Sequence, residues 1–320
     1  MTKNSMKTVL VTGAGGFIGN HMVQFLKKKG YWVRGVDLNE PEYQKSIADE
    51  FEILDLRRWG NCLQATRNID QVYHFAADMG GMGFISSHDA QILHNNNLID
   101  THMLEASRLN KVKRFFYSSS ACVYPEFKQT NENVIALKES DAYPADPQDG
   151  YGWQKLTTEK LCEYYYKDYG LETRVARFHN IYGTYGTYEG GREKVPAAMC
   201  RKIAQAKNNE VIKMWGDGKQ TRSFCYIDDC VMGVYKLMNS RIRIPINIGR
   251  DDLISINDLA KLIMKIADKK LLIEHISGPE GVRGRNSDNT LCKKSLKWEP
   301  EITMREGLLK TYKWINQRIK

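Results

Sequence analysis

The sequence has no apolar run long enough for a membrane-spanning helix, since the apolar stretch after residue 7 is only as long as a β-strand. Residues 1–7 are polar, so we expect neither a signal peptide nor a membrane anchor. No Cys-x-x-Cys pair occurs, and the histidines lack a metal-ligand spacing. The seven cysteines are scattered at positions 62, 122, 162, 200, 225, 230 and 292. This odd number predicts free thiols in a reducing cytoplasm, without disulfides or a metal site.

Low-complexity tracts and internal repeats are also missing from the 320 residues. Hydrophobic residues make up 42% and charged residues 27%, which favours an enzyme or binding domain over a structural array. The formal net charge is +9, but lysines and arginines are spread along the chain. The small basic groups at 27–29 and 293–294 are typical of solvated helix faces. We therefore expect a small phosphorylated ligand and no nucleic acid.

Strand-like and helix-like segments alternate from residue 7 to about residue 176. This pattern predicts an α/β protein with a Rossmann-type doubly wound parallel sheet. Beyond Arg177 the segments are shorter and less regular, and no Pro- or Ser-rich linker separates the halves. We expect one domain over residues 1–177 and a smaller C-terminal α/β substrate-binding lobe over residues 178–320. Within the segment 222–248, residues 222–227 and 245–248 are expected to return to the main sheet.

The first strand ends in a glycine-rich turn, GAGGFIG at residues 13–19, and an amphipathic helix follows directly. Gly13 would form the tight turn, Gly16 would let the backbone approach a pyrophosphate, and Gly19 would let helix and strand pack closely. Phe17 and Ile18 open the helix, whose N-terminus would face the phosphates. The spacing is Gly-x-x-Gly-x-x-Gly, and a turn of this kind is by itself a weak signal.

A carboxylate ends the second strand and strengthens that signal. Asp37 comes eighteen residues after Gly19. It would accept a hydrogen bond from the adenosine ribose and repel a 2′-phosphate, which predicts NAD rather than NADP as the cofactor. The alternative is an acidic residue that caps a loop. Asp55 could reach the adenine, and Ala76, on a strand with small residues, would let the cofactor lie close to the backbone.

The segment SSSACVY at residues 118–124 follows an apolar strand, so its hydroxyls and thiol would lie at the strand's carboxyl end. Open parallel sheets bind their ligands at that end. Tyr151 and Lys155 are four residues apart and share one face of a helix. Ser120, Tyr151 and Lys155 could therefore meet over one substrate hydroxyl. The alternative is a polar strand end followed by an ordinary exposed helix.

Together these motifs resemble the extended short-chain dehydrogenase/reductase family of nucleotide-sugar enzymes, over nearly the whole chain. The more specific likeness, to members that epimerise GDP-hexoses, lies in residues 76–84, 119–129, 177–183, 190–194 and 281–288. The resemblance implies bound NAD, a GDP-sugar substrate such as GDP-mannose, a homodimer, and an acid-base pair formed by Cys122 and Lys194. Taken singly, Cys122 would be a small buried hydrophobe and Lys194 a surface charge.

The residues support such chemistry. Tyr151, with its pKa lowered by Lys155 and by the nicotinamide charge, would take the C4 hydroxyl proton while hydride passes to NAD. The resulting C4 ketone acidifies the hydrogens on C3 and C5. Inversion then needs one group to remove a proton and another to deliver one. An unperturbed thiol titrates near ~8.5 and an amine near ~10.4, so Cys122 suits the base and Lys194 the acid.

The resemblance also implies a larger set of residues around the sugar and diphosphate, with arginine as the natural partner of phosphate. This substrate-binding set comprises Gly80, Ser120, Ala121, Cys122, Asn180, Glu193, Lys194, Lys202, Gln220, Arg222 and Arg283 or Arg285. The chain departs from the family pattern in ending soon after Trp314 and in the loop at residues 184–189.

Other functions fit the same motifs. Within enzymes, the alternatives are a GDP-sugar 4-dehydrogenase, a single-carbon epimerase and an enzyme for a GDP-heptose. A 4,6-dehydratase is disfavoured because Ala121 and Cys122 stand where that chemistry usually has an acid-base carboxylate pair. Outside enzymes, a nucleotide sensor without turnover and a basic RNA-associated protein remain, and the intact Ser120, Tyr151 and Lys155 set argues against the sensor.

Overall fold

The computed structural model describes residues 7–319. Its strands are β1 (Thr8–Thr12), β2 (Trp32–Asp37), β3 (Glu50–Ile53), β4 (Gln71–His74), β5 (Arg114–Ser120), β6 (Glu172–Phe178), β7 (Ile181–Tyr182), β8 (Val211–Trp215), β9 (Thr221–Arg222), β10 (Cys225–Tyr226), β11 (Ile246–Ile248), β12 (Ile254–Ser255), β13 (Leu272–Ile276) and β14 (Gly284–Arg285). Its α-helices are α1 (Phe17–Lys28), α2 (Trp59–Thr66), α3 (Met82–Ile85), α4 (Asp89–Leu109), α5 (Gly150–Tyr169), α6 (Val195–Gln205), α7 (Ile227–Met238), α8 (Ile256–Ala267), α9 (Thr290–Leu296) and α10 (Met304–Ile319). Short 3-10 helices span Ala121–Val123, Glu126–Lys128 and Glu139–Ala142.

Seven strands form the main sheet in the order β11-β6-β5-β4-β1-β2-β3. Every neighbouring pair in it is parallel. The strand order reverses beside β1, and ligands of open α/β sheets bind outside the carboxyl ends of the strands at such a point. The predicted Rossmann-type doubly wound sheet is therefore confirmed.

Both faces of this sheet are covered. Val11 of β1 packs in the hydrophobic cluster that contains Met22 of α1, whereas its neighbour Leu10 packs in the cluster that contains Met103 of α4. Successive residues of a strand point to opposite faces, and here both faces are apolar. This double burial explains why the strands read as continuous apolar runs in the sequence.

The C-terminal part packs directly on the sheet. Helices α6, α8 and α10 contact one another. Strand β8 pairs with β13, and β9 lies between β12 and β14. Ile263 of α8 belongs to the same buried cluster as Val11 of β1, so one hydrophobic core runs through both parts of the chain. Within residues 7–319, no helix is both long enough and apolar enough to cross a bilayer.

The two segments that were expected to return to the main sheet differ. Residues 246–248 form its edge strand beside β6. Residues 222–227 do not: β9 pairs with β12 and β14, and β10 pairs with β7. The expectation for 222–227 is wrong because α7 already begins at Ile227, which leaves only two-residue strands. Short apolar runs do not specify by themselves which sheet they join.

Candidate active site

The turn between β1 and α1 allows close approach of the backbone. Gly13 has a φ of 68°, in the left-handed region that glycine adopts without strain. A Cβ on Gly19 would lie 2.0 Å from the carbonyl oxygen of Gly13, so only glycine lets α1 pack this closely. Gly16 precedes Phe17 and Ile18, the first helical residues, and among the described residues no side chain caps this helix start. The N-terminal amides of α1 can therefore bind phosphate.

Carboxylates lie at the ends of the next two strands. Asp37 accepts hydrogen bonds from the N–H groups of Gly15 and Leu38, at 2.9 and 2.6 Å. These two amides fix the Asp37 carboxylate beside the glycine turn. Asp55 accepts from Nε and Nη2 of Arg57, both at 2.9 Å, and these bonds lower the pKa of Asp55.

These features fit the adenosine and pyrophosphate of a dinucleotide. A Cβ on Gly13 would lie 2.9 Å from the backbone nitrogen of Ala76, so the ends of β1 and β4 meet at the turn. The residues that would hold NAD are this turn, Asp37, Asp55, Ala76 and, at the nicotinamide end, Tyr151 and Lys155.

A glycine joins the end of β5 to the start of α5. A Cβ on Gly152 would lie 2.3 Å from the carbonyl oxygen of Cys122, so only glycine permits this contact. Asp149 caps α5 by accepting from the Gly152 N–H at 2.7 Å. Ser120 Oγ accepts from the Cys122 N–H at 3.1 Å. These contacts bring Tyr151, in the first turn of α5, beside Ser120 and Cys122.

Tyr151 and Lys155 are both buried, with 6% and 1% of their surface exposed. The ammonium of Lys155 lies 5.5 Å from the centre of the Tyr151 ring. Burial raises the pKa of Tyr151 above its usual value, and the charge of Cys122 adds to this, whereas a hydrogen bond with Ser120 opposes it. Within the chain itself, burial therefore dominates the pKa of Tyr151. The predicted lowering also depends on the nicotinamide charge of NAD, so it stays a prediction for the NAD-bound protein.

Cationic side chains surround the sulfur of Cys122, which is half-buried. Arg285 donates from Nη1 to Sγ at 3.3 Å, and its Nε donates to Gln129 Oε1 at 2.6 Å. Arg222 and Lys194 both interact electrostatically with Cys122. Burial and the charge of Arg285 lower the pKa of Arg222 to about 9, which Cys122 opposes. Reactive cysteines are found in electropositive, partly exposed settings of this kind.

Lys194 precedes the first helical residue of α6 and is exposed to solvent. Partial loss of hydration lowers the pKa of its ammonium. The charges of Cys122 and Cys230 act in the opposite direction. A lysine with a lowered pKa loses its proton more readily, which suits a general acid.

The segment before Lys194 is held by the loop that follows β4. The Gly81 N–H donates to the carbonyl of Arg192 at 3.1 Å, and a Cβ on Gly81 would lie 2.5 Å from the carbonyl oxygen of Glu193. The Arg192 guanidinium lies 4.0 Å from the centre of the Phe84 ring and 3.4 Å from Asp78 Oδ1. The two loops therefore position Lys194 together.

The other predicted substrate residues have mixed surroundings. Ala121 is buried in the turn after β5. Asn180 donates to the Ser223 carbonyl at 2.9 Å, and the buried Gln220 has a weak contact of 3.4 Å with the Trp215 carbonyl. Gly80 packs against Phe84, and Glu193 accepts from the Gly191 N–H at 2.7 Å.

Two cations of the predicted set are engaged elsewhere. Lys202 donates to the Lys213 carbonyl at 2.7 Å. Arg283 forms two hydrogen bonds of 2.8 Å with Asp217 and an ion pair of 2.9 Å with Glu132. Of the two arginines expected near the diphosphate, Arg285 reaches Cys122 and Arg283 is neutralised by carboxylates.

Sequence reasoning missed three residues that shape this site. Gly152 supports the contact between α5 and Cys122, and Gln129 holds Arg285. Asp100 is fully buried on α4. Its signal was an acidic residue one position after Ile99 on the apolar face of an amphipathic helix, where a charge needs partners. Gln129 carries no comparable signal.

The arrangement offers two kinds of proton chemistry side by side. Ser120 and Tyr151 can exchange a proton with a hydroxyl, and Cys122 and Lys194 can remove and deliver protons at carbon. Within the described range 7–319, no group of three or more His, Cys, Asp or Glu side chains is arranged to bind a metal.

Residues 9–249 match the model of the NAD dependent epimerase/dehydratase family. The chain belongs to this family of NAD-dependent nucleotide-sugar enzymes.

Among curated relatives, GDP-mannose 3,5-epimerase 1 of Oryza sativa subsp. indica is 54% identical over 98% of this chain and 82% of the relative. GDP-mannose 3,5-epimerase of Arabidopsis thaliana is 53% identical over 98% of this chain and 83% of the relative. Among solved structures, the UDP-glucose 4-epimerase of Thermotoga maritima with UDP-glucose superposes with a TM-score of 0.87 at 27% identity, covering 98% of this chain and 100% of that one. The UDP-glucuronic acid 4-epimerase of Bacillus cereus, solved with UDP-glucuronic acid and NAD, superposes with a TM-score of 0.82 at 27% identity. The match covers 97% of this chain and 99% of that one.

Proposed function

We propose that this protein is a GDP-mannose 3,5-epimerase, which inverts C3 and C5 of GDP-mannose to give GDP-L-galactose. Inversion of C5 alone would give GDP-L-gulose as a second product. The observation that carries the proposal is the placement of Cys122 among Arg285, Arg222 and Lys194, directly beside Tyr151. The names of relatives at 53% and 54% identity support the same substrate.

The first step belongs to Tyr151 and Ser120. Tyr151 takes the proton of the C4 hydroxyl, with Ser120 holding that hydroxyl and Lys155 supplying positive charge to the phenolate. Bound NAD supplies the hydride acceptor at C4, the donor for its return, and a positive charge near the phenol. Because the pKa of Tyr151 is raised by burial, the cationic surroundings are needed to make this phenol an effective base.

The second step belongs to Cys122 and Lys194. A C4 ketone makes the C3 and C5 hydrogens acidic, and the Cys122 thiolate removes one of them while Arg285 holds the sulfur. Lys194 delivers a proton to the carbon from its own position, and its lowered pKa favours that transfer. Return of hydride to C4 makes the whole reaction redox-neutral.

The two parts of the chain would bind different ligands. Residues 1–177 would hold NAD, and residues 178–320 would supply most of the substrate side. Arg222 and Arg285 are the arginines we assign to the charged part of the substrate, with Asn180, Gln220 and Glu193 around the sugar. Arg283 and Lys202 would have to release their present partners before they could contribute.

We also propose a homodimer formed by the outer faces of α4 and α5. The two helices pack together, and the Gly150 N–H donates to Asp89 Oδ1 at 2.7 Å at their starts. Leu93, Trp153 and Tyr164 expose 38%, 45% and 49% of their surfaces on these helices. Light scattering should give twice the chain mass, and Trp153→Lys with Tyr164→Glu should give a monomer; a monomeric parent protein would contradict this.

A cytoplasmic location is the last part of the proposal. It is supported by seven cysteines that are all free thiols, six of them buried. Disulfides of secreted proteins form in oxidising compartments, and free thiols are typical of reducing ones. Cell fractionation with an antibody to the protein would test it, and recovery outside the cytoplasm would overturn it.

The function is tested by incubating the NAD-bound protein with a panel of GDP-sugars and reading product stereochemistry by NMR. We expect GDP-mannose to give products inverted at C5, and at both C3 and C5. Accumulation of a 4-keto sugar with stoichiometric NADH would indicate a 4-dehydrogenase, and inversion at one carbon only would indicate a single-carbon epimerase. Preference for a GDP-heptose over GDP-mannose would reassign the substrate.

A further inference from the structure

A carboxylate lies at the centre of a hydrogen-bond cluster beneath the proposed redox residues. Asp100 of α4 has no exposed surface. Its Oδ1 lies 2.9 Å from His74 Nε2, and its Oδ2 accepts from the Tyr117 hydroxyl at 2.7 Å. Gln154 Nε2 and Thr158 Oγ1 of α5 also donate to Oδ2, at 2.7 and 3.0 Å. Four donors converge on this one buried carboxylate.

The hydrogen bonds around His74 orient its ring toward Asp100. Thr12 Oγ1 accepts from the N–H groups of Phe75 and Ala76, both at 3.2 Å. The Thr12 hydroxyl proton is therefore directed at His74 Nδ1, 2.7 Å away. With Nδ1 as the acceptor, Nε2 donates to Asp100. Asp100 also faces the ammonium of Lys155.

Lys155 is the buried cation whose charge acts most strongly on Asp100. Its ammonium lies 4.7 Å from the centre of the Tyr117 ring, and the Tyr117 hydroxyl donates to Asp100. Burial lowers the pKa of Lys155, and the charge of Asp100 is the largest influence that raises it. Burial likewise raises the pKa of Asp100, but the charge of Lys155 and the hydrogen bond from His74 bring it below its usual value.

We propose that Asp100 is a positioning residue of the reaction: a buried counter-charge that keeps Lys155 protonated beside Tyr151 and ties α5 to the end of β4. The proposal rests on the proposed redox role of Tyr151 and Lys155. An unpaired ammonium without exposed surface would lose its proton, because a lone buried charge is strongly disfavoured. Asp100 supplies the opposite charge from a neighbouring helix, without a direct ion pair that would draw Lys155 away from the active site.

The titration of Lys155 depends on every group that faces it. These groups are Asp100 from α4, Tyr117 from β5, Cys122 from the turn after β5, and Tyr151, Glu159 and Cys162 from α5 itself. Asp100 in turn faces His74 from β4, Tyr117 from β5 and Lys155 from α5. Of these, Asp100 can be changed without touching a group that we place against the substrate.

The test is an NMR titration of the NAD-bound protein labelled with 13C at the ε-carbon of lysine. The Lys155 signal is assigned by its loss in Lys155→Arg. In Asp100→Ser and in the isosteric Asp100→Asn, we expect the midpoint of Lys155 to fall by at least about one pH unit, since an opposite charge at close range moves a pKa by this amount or more. The alkaline limb of kcat/KM for GDP-mannose should move to lower pH by the same interval.

Two controls separate charge from structure. Thr158→Val removes one hydrogen bond from the cluster but keeps the carboxylate, so the midpoint of Lys155 should stay in place. Asp100→Ser with Gln154→Glu moves the carboxylate to α5 within the same cluster, because Gln154 already touches Asp100 Oδ2, and should restore the midpoint.

An unchanged Lys155 midpoint in a folded, NAD-bound Asp100 variant would overturn the proposal, as would an equal fall in Thr158→Val. The NMR readout uses no substrate, so it remains decisive if GDP-mannose is not turned over. In that case the proposed function fails, while the role of Asp100 is judged on the titration alone.

Discussion

The two halves of the proposed chemistry lie on different kinds of structure. Tyr151, Lys155 and Ser120 belong to α5 and β5, inside the regular sheet and helix framework. Cys122, Lys194 and Arg285 belong to a 3-10 turn, the residue before α6 and a two-residue strand. The first group is largely buried, and Lys194 of the second is exposed to solvent.

The regular framework is the part of the molecule that a distant relative demonstrably shares. The UDP-glucose 4-epimerase of Thermotoga maritima has the same fold at a TM-score of 0.87, although only 27% of its residues are identical. A framework of strands and helices keeps its geometry at such divergence, whereas loops vary more readily. We infer that the redox step is set by the framework, and that the carbon to be inverted is set by the loops.

The largest loss of activity is expected from a substitution in the regular framework of strands and helices, at Tyr151. Tyr151→Phe removes the hydroxyl that starts hydride transfer, and it should lower the rate of both NADH formation and epimerisation by about 10⁴-fold. Pre-steady-state absorbance of NADH and NMR of the product measure the two steps separately. Loss of epimerisation with intact NADH formation would contradict the redox role of Tyr151, because it would place this residue in the second step.

A change at the loop side should split the two steps. Cys122→Ala should lower epimerisation by about 10²- to 10³-fold, because it removes the base, and should leave oxidation at C4 measurable. Cys122→Ser, which keeps the size of the side chain, serves as the matched control and should behave like the alanine variant. Equal loss of oxidation in both variants would show that Cys122 supports the redox step.

A smaller effect is expected at the adenosine end. Asp37→Ala should weaken NAD binding by about 10- to 100-fold, since it removes a charged hydrogen-bond acceptor from the ribose. Titration calorimetry with NAD and NADP measures both affinities. Equal affinities for the two cofactors in the parent protein would contradict the assignment of Asp37.

The smallest loss of activity is expected at Arg192, where the segment before Lys194 contacts the loop that follows β4. Arg192→Ala removes an exposed ion pair with Asp78 and the contact with Phe84, and it should raise KM for GDP-mannose by about two- to fivefold. The melting temperature should hardly change, because Arg192 is exposed. A loss of kcat as large as the one expected for Cys122→Ala would give Arg192 a role in the chemistry itself.

Much of the fold was predictable because its signals are local. The glycine turn, the buried strands and the helix that carries Tyr151 can each be recognised from a pattern within about twenty residues of sequence. The sheet that residues 222–227 would join was not predictable, because a two-residue strand has no sequence pattern that indicates which strand it pairs with. The burial that raises the pKa of Tyr151 was not predictable either, because burial is a property of the packed structure.

In the candidate site, too, the features with a local sequence pattern were predictable and those that depend on tertiary packing were not. Ser120 and Tyr151 could be expected to meet from strand and helix positions, and the structure brings them together. The contact of Arg285 with Cys122 joins residues 163 positions apart, and the buried cluster around Asp100 combines β4, α4, β5 and α5. Such contacts depend on tertiary packing, so no short motif encodes them.

The most direct test of two proton-transfer groups beside one redox centre is turnover of GDP-mannose in D₂O. We expect the NAD-bound protein to introduce deuterium at both C3 and C5, and Cys122→Ala to introduce it at neither while still oxidising C4. Mass spectrometry and NMR of the recovered sugar nucleotide measure the position and amount of label. Clean oxidation at C4 with no label at either carbon in the parent protein would contradict proton transfer at C3 and C5 and favour a GDP-sugar 4-dehydrogenase.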